Sequence, residues 1–318
     1  MLLRLHSAGN NPDSYGEKGR EGVLMTLSVN REVELEHHTV ATNGIHLHVV
    51  QAGPTDGPLV ILLHGFPEFW YGWRRQIADL AARGFRVWAP DQRGYNLSDR
   101  PKAIGAYRAD ILVEDIVGLI DAAGREKAYV AGHDWGAMIT WLLALKHPDR
   151  LHRAAMLNVP HPVVMQQHLF SSFGQLRKSW YIFFFQLPWL PETSIRRDDW
   201  AFGARSLRGS SHKDTFTDAD LVEYRRAWSQ PGAITGMINW YRAFARRPPP
   251  KLADKQVHIP TLIIWGAQDR FLDAVMAPAS VNYCEQGRLV LIPDATHWVQ
   301  HEAPERVSEL LAEHFGEA

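Results

Sequence analysis

From Val33 onward the chain alternates between short apolar runs and longer amphipathic stretches. Leu59–Leu63 is apolar at every position, and comparable runs recur at Phe85–Ala89, Ala128–Ala131, Arg153–Leu157, Thr261–Trp265 and Leu289–Ile292. Runs of that length with no polar alternation predict strands covered on both faces, as in a parallel sheet. Helical spacing fills the intervals. One helix is expected from about Tyr107 to Ala123, stopped by Gly124, and another over Trp135–Lys146, stopped before Pro148. Two β-rich runs flank Asn43-Gly44, a dipeptide suited to a two-residue hairpin because both positions want positive φ. Alternating strand and helix predicts an α/β fold with a mostly parallel central sheet flanked by helices.

The alternation breaks between Pro160 and Pro250. That segment is full of Trp, Phe, Tyr and Arg, reads as helix and loop, and ends in Arg246-Arg247-Pro248-Pro249-Pro250. The proline triplet predicts an extended connector. The strand–helix pattern resumes at Ile259, so the middle segment is expected to be a helical cap inserted into a single core. Met1–Asn30 has no sustained apolar period and is expected to lie outside the fold as a mobile extension. The expected organisation is an extension over 1–32, a core in two parts over 33–159 and 251–318, and a cap over 160–250. There is no internal repeat and no low-complexity tract.

Composition narrows the field further. The 318 residues are 46% hydrophobic and 22% charged, which excludes collagen-like, disordered and coiled-coil classes. Lys plus Arg number 34 against 35 Asp plus Glu, so there is no basic excess to draw nucleic acid or an anionic membrane. The single Cys284 excludes an internal disulfide framework and a Cys-rich zinc module. The most apolar stretch, Trp180 to Leu190, is far short of the roughly 20 residues needed to span a bilayer. No apolar run near Met1 is long enough for a secretory signal. A soluble cytoplasmic protein is the expectation, as a monomer or homodimer.

The chemistry concentrates after the strand ending at Ala131. There Gly132-His133-Asp134-Trp135-Gly136-Ala137 precedes a helix. Small residues on both sides of a central polar residue form the sharp strand-to-helix turn that lifts a nucleophile above a sheet. Asp134 could instead serve only as an N-cap, a position Asp favours, but the flanking glycines and the downstream residues argue for the nucleophile. A carboxylate is a poor acyl nucleophile, because the anhydride it forms reverts. At an sp3 carbon bearing a leaving group it is competent, and the product is an alkyl ester on the enzyme. Alkylation followed by ester hydrolysis is therefore the expected reaction class.

Three more segments complete the expectation. His64-Gly65-Phe66-Pro67 follows an early strand and is placed to give one backbone N–H of an oxyanion hole, from Phe66; Trp135 would give the other. Asp269 and His297 each fall just beyond a predicted strand, where open α/β sheets gather their sites. The order Asp134, Asp269, His297 is that of nucleophile, acid and histidine in the α/β-hydrolase arrangement. His297 would be the general base for the water that cleaves the ester, and Asp269 would fix its tautomer. With 16 histidines in the chain, position rather than residue type singles out His297.

At this point the sequence resembles a known family, the soluble epoxide hydrolases of the α/β-hydrolase fold. The resemblance rests on His64-Gly65-Phe66-Pro67-Glu68, on Asp91-Gln92-Arg93-Gly94-Tyr95-Asn96-Leu97-Ser98, on the Gly132 to Ala137 elbow and on His297-Trp298, and it extends over most of residues 36 to 318. Two cap motifs carry the reaction. Tyr181 to Pro188 looks like the family's first lid-tyrosine segment, and Ile238 to Arg242 like the second. The resemblance implies that Tyr181 and Tyr241 point down over Asp134 and hydrogen-bond an epoxide oxygen. A phenol of pKa near 10 is a suitable donor to the alkoxide that ring opening makes. The family also implies a cis peptide at Phe66–Pro67, and the substrate would be a small apolar epoxide with water as co-substrate. No metal or organic cofactor is called for. The cap aromatics Trp180, Phe183, Phe184, Trp189 and Trp240 imply an apolar pocket, with Phe66, Trp135, Phe184 and Trp240 expected to line it.

The nearest alternative is a haloalkane dehalogenase, which would use the same Asp134 nucleophile and the same ester hydrolysis. Phe66 stands where such enzymes usually carry a polar residue, and paired lid tyrosines have no role in halide release. A fluoroacetate dehalogenase generally has Arg where this chain has Trp135. A serine esterase is disfavoured by Asp134 itself. A non-catalytic scaffold of the same fold would be expected to have lost a member of the triad.

Overall fold

The computed structural model describes residues 22–25, 33–171, 180–247 and 254–316. Among the described residues nine strands form one sheet in the order β1-β2-β3-β5-β4-β6-β7-β8-β9. They are β1 (Gly22–Met25), β2 (Val33–Thr42), β3 (Ile45–Ala52), β4 (Leu59–Leu63), β5 (Arg86–Pro90), β6 (Ala128–His133), β7 (Leu151–Leu157), β8 (Thr261–Gly266) and β9 (Gly287–Ile292). From β5 to β9 every pairing is parallel. The strands β1, β2 and β3 join antiparallel to one another, and β3 joins β5 antiparallel.

The hairpin between β2 and β3 turns at Asn43 (φ 42°) and Gly44 (φ 75°), as the dipeptide requires. The parallel strands sit within two residues of the apolar runs that predicted them, and β4, β6 and β8 are buried almost throughout. At the edge, β9 has water on one side and is only half-buried. The expected N-terminal extension is corrected in one respect. Gly22–Met25 pairs with β2 as an edge strand and so belongs to the sheet; a four-residue edge strand leaves too short a pattern to read against its polar surroundings.

The helices of the core are α1 (Arg74–Ala82), α2 (Ala109–Ala122) and α3 (Trp135–Lys146). Between β7 and β8 the chain makes its long excursion through α4 (Pro162–Ser171), α5 (Trp180–Phe184), α6 (Leu190–Ser210), α7 (Asp218–Trp228) and α8 (Ala233–Arg246). The return adds α9 (Met276–Val281), α10 (Val299–Glu302) and α11 (Pro304–Phe315). Helix α1 packs with α11 and α2 with α3, so separate helix layers clothe the sheet, while α4 packs on α3 and α9 of the core. The expected connector at Pro248–Pro250 lies outside the described residues.

One feature of this topology places the site. The chain leaves β4 for β5 on one side and returns to β6 on the other. The loops after β4 and β6 therefore diverge at the carboxyl ends of neighbouring strands and leave a crevice between them. Gly65-Phe66 follows β4 and Asp134 follows β6.

Candidate active site

Asp134 stands at the join of β6 and α3 with φ 50° and ψ −121°, a strained backbone for a residue with a Cβ. The turn is possible because the residues two before and two after it, Gly132 and Gly136, lack side chains. A Cβ on Gly132 would lie 2.2 Å from the Gly136 carbonyl oxygen, and one on Gly136 would lie 2.1 Å from that of Leu63. Gly65 is constrained from the other direction, since a Cβ there would meet the Asp134 Cβ at 2.3 Å. Asp134 makes no capping bond to its helix. Its Oδ1 accepts instead from the Phe66 backbone N–H at 2.8 Å, and its Oδ2 lies 3.6 Å from His297 Nε2. Trp135 is the first residue of α3, so its N–H is among the amides that no intrahelical carbonyl serves.

His297 is buried, and its Nδ1 is 2.8 Å from Asp269 Oδ2. Asp269 is held on all sides. Its Oδ1 accepts from the Phe271 and Leu272 backbone N–H groups at 2.7 and 3.0 Å, and its Oδ2 accepts from Asn158 Nδ2 at 2.8 Å. Burial opposes the charge on Asp269, and the histidine beside it outweighs burial, holding the carboxyl below its usual range. For His297 burial likewise works against the charged form. The Asp269 and Asp134 carboxylates at its two nitrogens prevail and push it up to about 10.

Asn158 was not foreseen. It follows β7 with φ 57°, donates to Asp269 and accepts from the Gly266 N–H at 3.2 Å, so it ties the acid to the end of β8. The available signal was a lone polar residue at the tip of an apolar strand. A second unforeseen group lies behind the histidine. Glu68 is fully buried and accepts from Tyr224 (2.7 Å), His301 (2.6 Å) and Gln300 (2.9 Å). Burial opposes its charge, and His301 and His133 hold it well below the usual carboxylate range. His133 Nε2 reaches the His297 carbonyl at 2.7 Å, which connects this network to the backbone of His297.

The cap closes the crevice. Tyr181 from α5 and Tyr241 from α8 both line the cavity over Asp134, with their rings 5.9 Å apart and nearly perpendicular. Burial first, and then the Asp134 charge, raise both phenols above their ordinary value, so both keep their protons. The ring of Phe66 packs edge-on to Tyr241 at 5.2 Å and that of Trp135 at 4.9 Å. Phe66–Pro67 is cis.

Of the expected pocket aromatics, Phe66, Trp135, Trp180 and Phe184 line the cavities. Trp240 is corrected: it is buried away from them, with its ring against Tyr95 and its indole N–H donating to the Arg93 carbonyl at 2.8 Å. Successive helical residues point about 100° apart, so with Tyr241 aimed at the site its neighbour turns into the core. Phe183 (61% exposed) and Trp189 (70% exposed) face outward. Among the described residues no group of three or more His, Cys, Asp or Glu is placed to hold a metal ion, and no helix is long and apolar enough to cross a membrane.

Residues 58–304 match the α/β hydrolase fold family. The chain is 47% identical over 278 residues to the AB hydrolase superfamily protein YfhM of Bacillus subtilis, covering 87% of this chain and 96% of that one. It is 38% identical to epoxide hydrolase 2 of Caenorhabditis elegans, over 88% of this chain and 80% of the relative. The crystal structure of Bacillus megaterium epoxide hydrolase in complex with an inhibitor superposes with a TM-score of 0.81 at 30% identity, covering 87% of this chain and 99% of that one.

Proposed function

The chain belongs to the α/β hydrolase fold family, and from that premise we propose that it is an epoxide hydrolase that forms an alkyl ester on Asp134 and hydrolyses it with water activated by His297. The observation that carries this reading is a carboxylate at the nucleophile position, roofed by two protonated phenols and flanked by a histidine–aspartate pair.

An apolar epoxide lies between core and cap with its oxygen toward Tyr181 and Tyr241. Asp134 attacks a ring carbon, the C–O bond opens, and negative charge passes from the carboxylate to the epoxide oxygen. Asp134 charge is one of the causes that keep the phenols weakly acidic. Its loss makes both tyrosines better donors at the moment an alkoxide forms above them. The same neutralisation acts on His297. In the free enzyme two carboxylates hold its proton; in the ester only Asp269 remains, and burial favours the neutral ring. The proton passes to the alkoxide, and His297 becomes the base that the second step needs. It then takes a proton from water, whose oxygen adds to the Asp134 carbonyl carbon. The resulting oxyanion is met by the Phe66 N–H, already 2.8 Å from Oδ1, and by the Trp135 N–H. Collapse breaks the ester bond, His297 returns its proton to the leaving oxygen, and a vicinal diol departs.

The test uses His297→Gln with styrene oxide beside a bromoalkane. Styrene oxide should alkylate the variant in stoichiometric amount on the peptide bearing Asp134, with no further turnover, while the native chain releases diol. A native chain that releases bromide but no diol, or an adduct on another residue, would overturn the proposal.

A further inference from the structure

The loop that carries His297 is fastened to the cap on both flanks. Thr296, just before it, donates its backbone N–H to Glu302 Oε2 at 2.6 Å and its hydroxyl to Oε1 at 2.9 Å. Glu302 ends α10, and its Oε1 also accepts from the His212 backbone N–H at 2.7 Å and the Thr215 hydroxyl at 3.4 Å. Both of those donors lie in the turn between α6 and α7 of the cap. Trp298, just after His297, is buried and donates its indole N–H to Ser210 Oγ at 2.9 Å, at the end of α6. The His212 ring adds a third tie, since its Nε2 lies 2.6 Å from the Asp294 carbonyl oxygen. Glu302 and Ser210 line neither of the cavities at Asp134.

What these ties do depends on the step. In the free enzyme the His297 ring is held at Nδ1 by Asp269, 2.8 Å away, and the Asp134 carboxylate, 3.6 Å from Nε2, attracts its charge from the other end. Esterification removes that attraction just when Nε2 has to be aimed at a water beside the ester carbon. A single hydrogen bond at Nδ1 leaves the ring free to swing about it, so its aim is set by the backbone on which it stands. From the core that backbone is held by His133 at the His297 carbonyl. From the cap it is held at Thr296 and Trp298. An error of about 1 Å in such an aim can cost about 10²-fold in rate.

Building on the epoxide hydrolase reading, we propose that Glu302 and Ser210 are positioning residues through which the cap's α6–α7 turn sets the aim of His297 for ester hydrolysis. The cap then has two duties carried by different parts. Tyr181 on α5 and Tyr241 on α8 serve the opening of the ring. The α6–α7 turn serves the second step, in which water oxygen bonds to the Asp134 carboxyl carbon and the alkyl oxygen leaves with the proton from His297. Four donors converge on the Glu302 carboxylate, and an amide of the same size offers one accepting oxygen and a nitrogen that only donates.

The experiment measures both steps with styrene oxide, by rapid quench and intact-protein mass, in the native chain, in Glu302→Gln and in Ser210→Ala. Glu302→Gln should slow ester hydrolysis about tenfold to 10²-fold and keep ester formation within about threefold of native, so the alkylated fraction rises in the steady state. Ser210→Ala removes one neutral acceptor with little change in bulk and should slow hydrolysis about three- to tenfold, again without slowing ester formation. A role in folding alone would lower both rates together, as active protein is lost, and leave their ratio at the native value. A native ratio in either variant therefore overturns the inference, while diol formation by the native chain still upholds the activity. If Glu302→Gln does not fold, Ser210→Ala decides by the same ratio. Absence of both ester and diol with the native chain would overturn the activity itself and this inference with it.

Discussion

Tyr181 and Tyr241 reach the same cavity from elements held in opposite ways. Helix α8, which carries Tyr241, is buried over most of its length and is fastened to the core. Trp240 donates to the Arg93 carbonyl, and Gly236 lies so close to Gly94 that a Cβ on it would stand 2.5 Å from the Gly94 oxygen. Helix α5, which carries Tyr181, has five residues and no fully buried one. It is held through the following turn by α8 itself. Arg242 donates to the Phe185 and Leu187 carbonyls at 3.0 and 2.7 Å and pairs with Glu192, and Gln186 donates to the Tyr241 carbonyl at 3.2 Å. The core therefore positions one phenol, and that phenol's helix supplies the hydrogen bonds that position the other, with Phe66 and Phe271 of the core packing on Phe185 and Tyr181.

The largest effect should fall below both tyrosines. Asp134→Ala removes the group that either phenol serves, and steady-state diol formation should drop by about 10⁴-fold or more, as when a member of a catalytic unit is lost. Rapid-quench analysis should find no ester. Residual turnover within tenfold of the native rate would detach the cap tyrosines from any covalent chemistry.

The comparison itself is tested next. Tyr181→Phe and Tyr241→Phe should each lower the rate of ester formation by about 10²–10³-fold, the usual cost of one oxyanion donor, and the double variant should nearly abolish it. In the proposed mechanism both phenols act on the same oxygen, so their unequal anchoring should not appear in these numbers. It should appear when the anchor is cut. Replacing Arg242 and Glu192 together by Leu removes the ion pair without leaving a buried charge alone. Ester formation should then fall toward the Tyr181→Phe value, and adding Tyr181→Phe should cost little more. If the triple variant loses a further 10²-fold, α5 has a second support and the dependence on α8 is wrong.

Seating of α8 on the core gives a smaller effect on stability. Gly236→Ala places a methyl against backbone, which cannot give way as a side chain can, and should destabilise by about 1–3 kcal/mol in urea unfolding. Because α8 carries α5, the fall in activity should exceed the small loss of folded protein.

What was legible in the sequence follows the same divide. Period and breakers revealed the strands, because a buried parallel strand has apolar residues at every position and a glycine or proline at its end. The hairpin was legible because Asn43-Gly44 suits few other turns. The positions of Asp134, Asp269 and His297 could be read because each lies in the turn or loop beyond the carboxyl end of a strand. Trp240 could not be assigned, because an aromatic pair on a helix announces one inward face without saying which member takes it. Asn158 and Glu68 were missed for a different reason. Their roles depend on partners more than 100 residues away, which no local pattern contains. Which way Trp189 and Phe183 face was not legible, because aromatic content says nothing of direction.

The smallest effect concerns the proton shared beneath both tyrosines. His297 is pushed up to about 10 by two carboxylates against the pull of burial. In Asp134→Asn one of those carboxylates becomes neutral while burial and Asp269 are unchanged, so the charged ring loses support and its pKa must fall below about 10. The sign fixes the consequence for turnover, since the alkyl ester is neutral at the same position. Ester hydrolysis, which needs the neutral ring, should weaken as pH falls through the lowered value, and that value should lie below the pKa of the free enzyme. Imidazole nitrogen shifts of His297, followed by NMR in the native chain and in Asp134→Asn, measure the difference directly. Equal titration midpoints in the two proteins would mean that Asp134 does not hold the proton, and the second step would then need a different trigger.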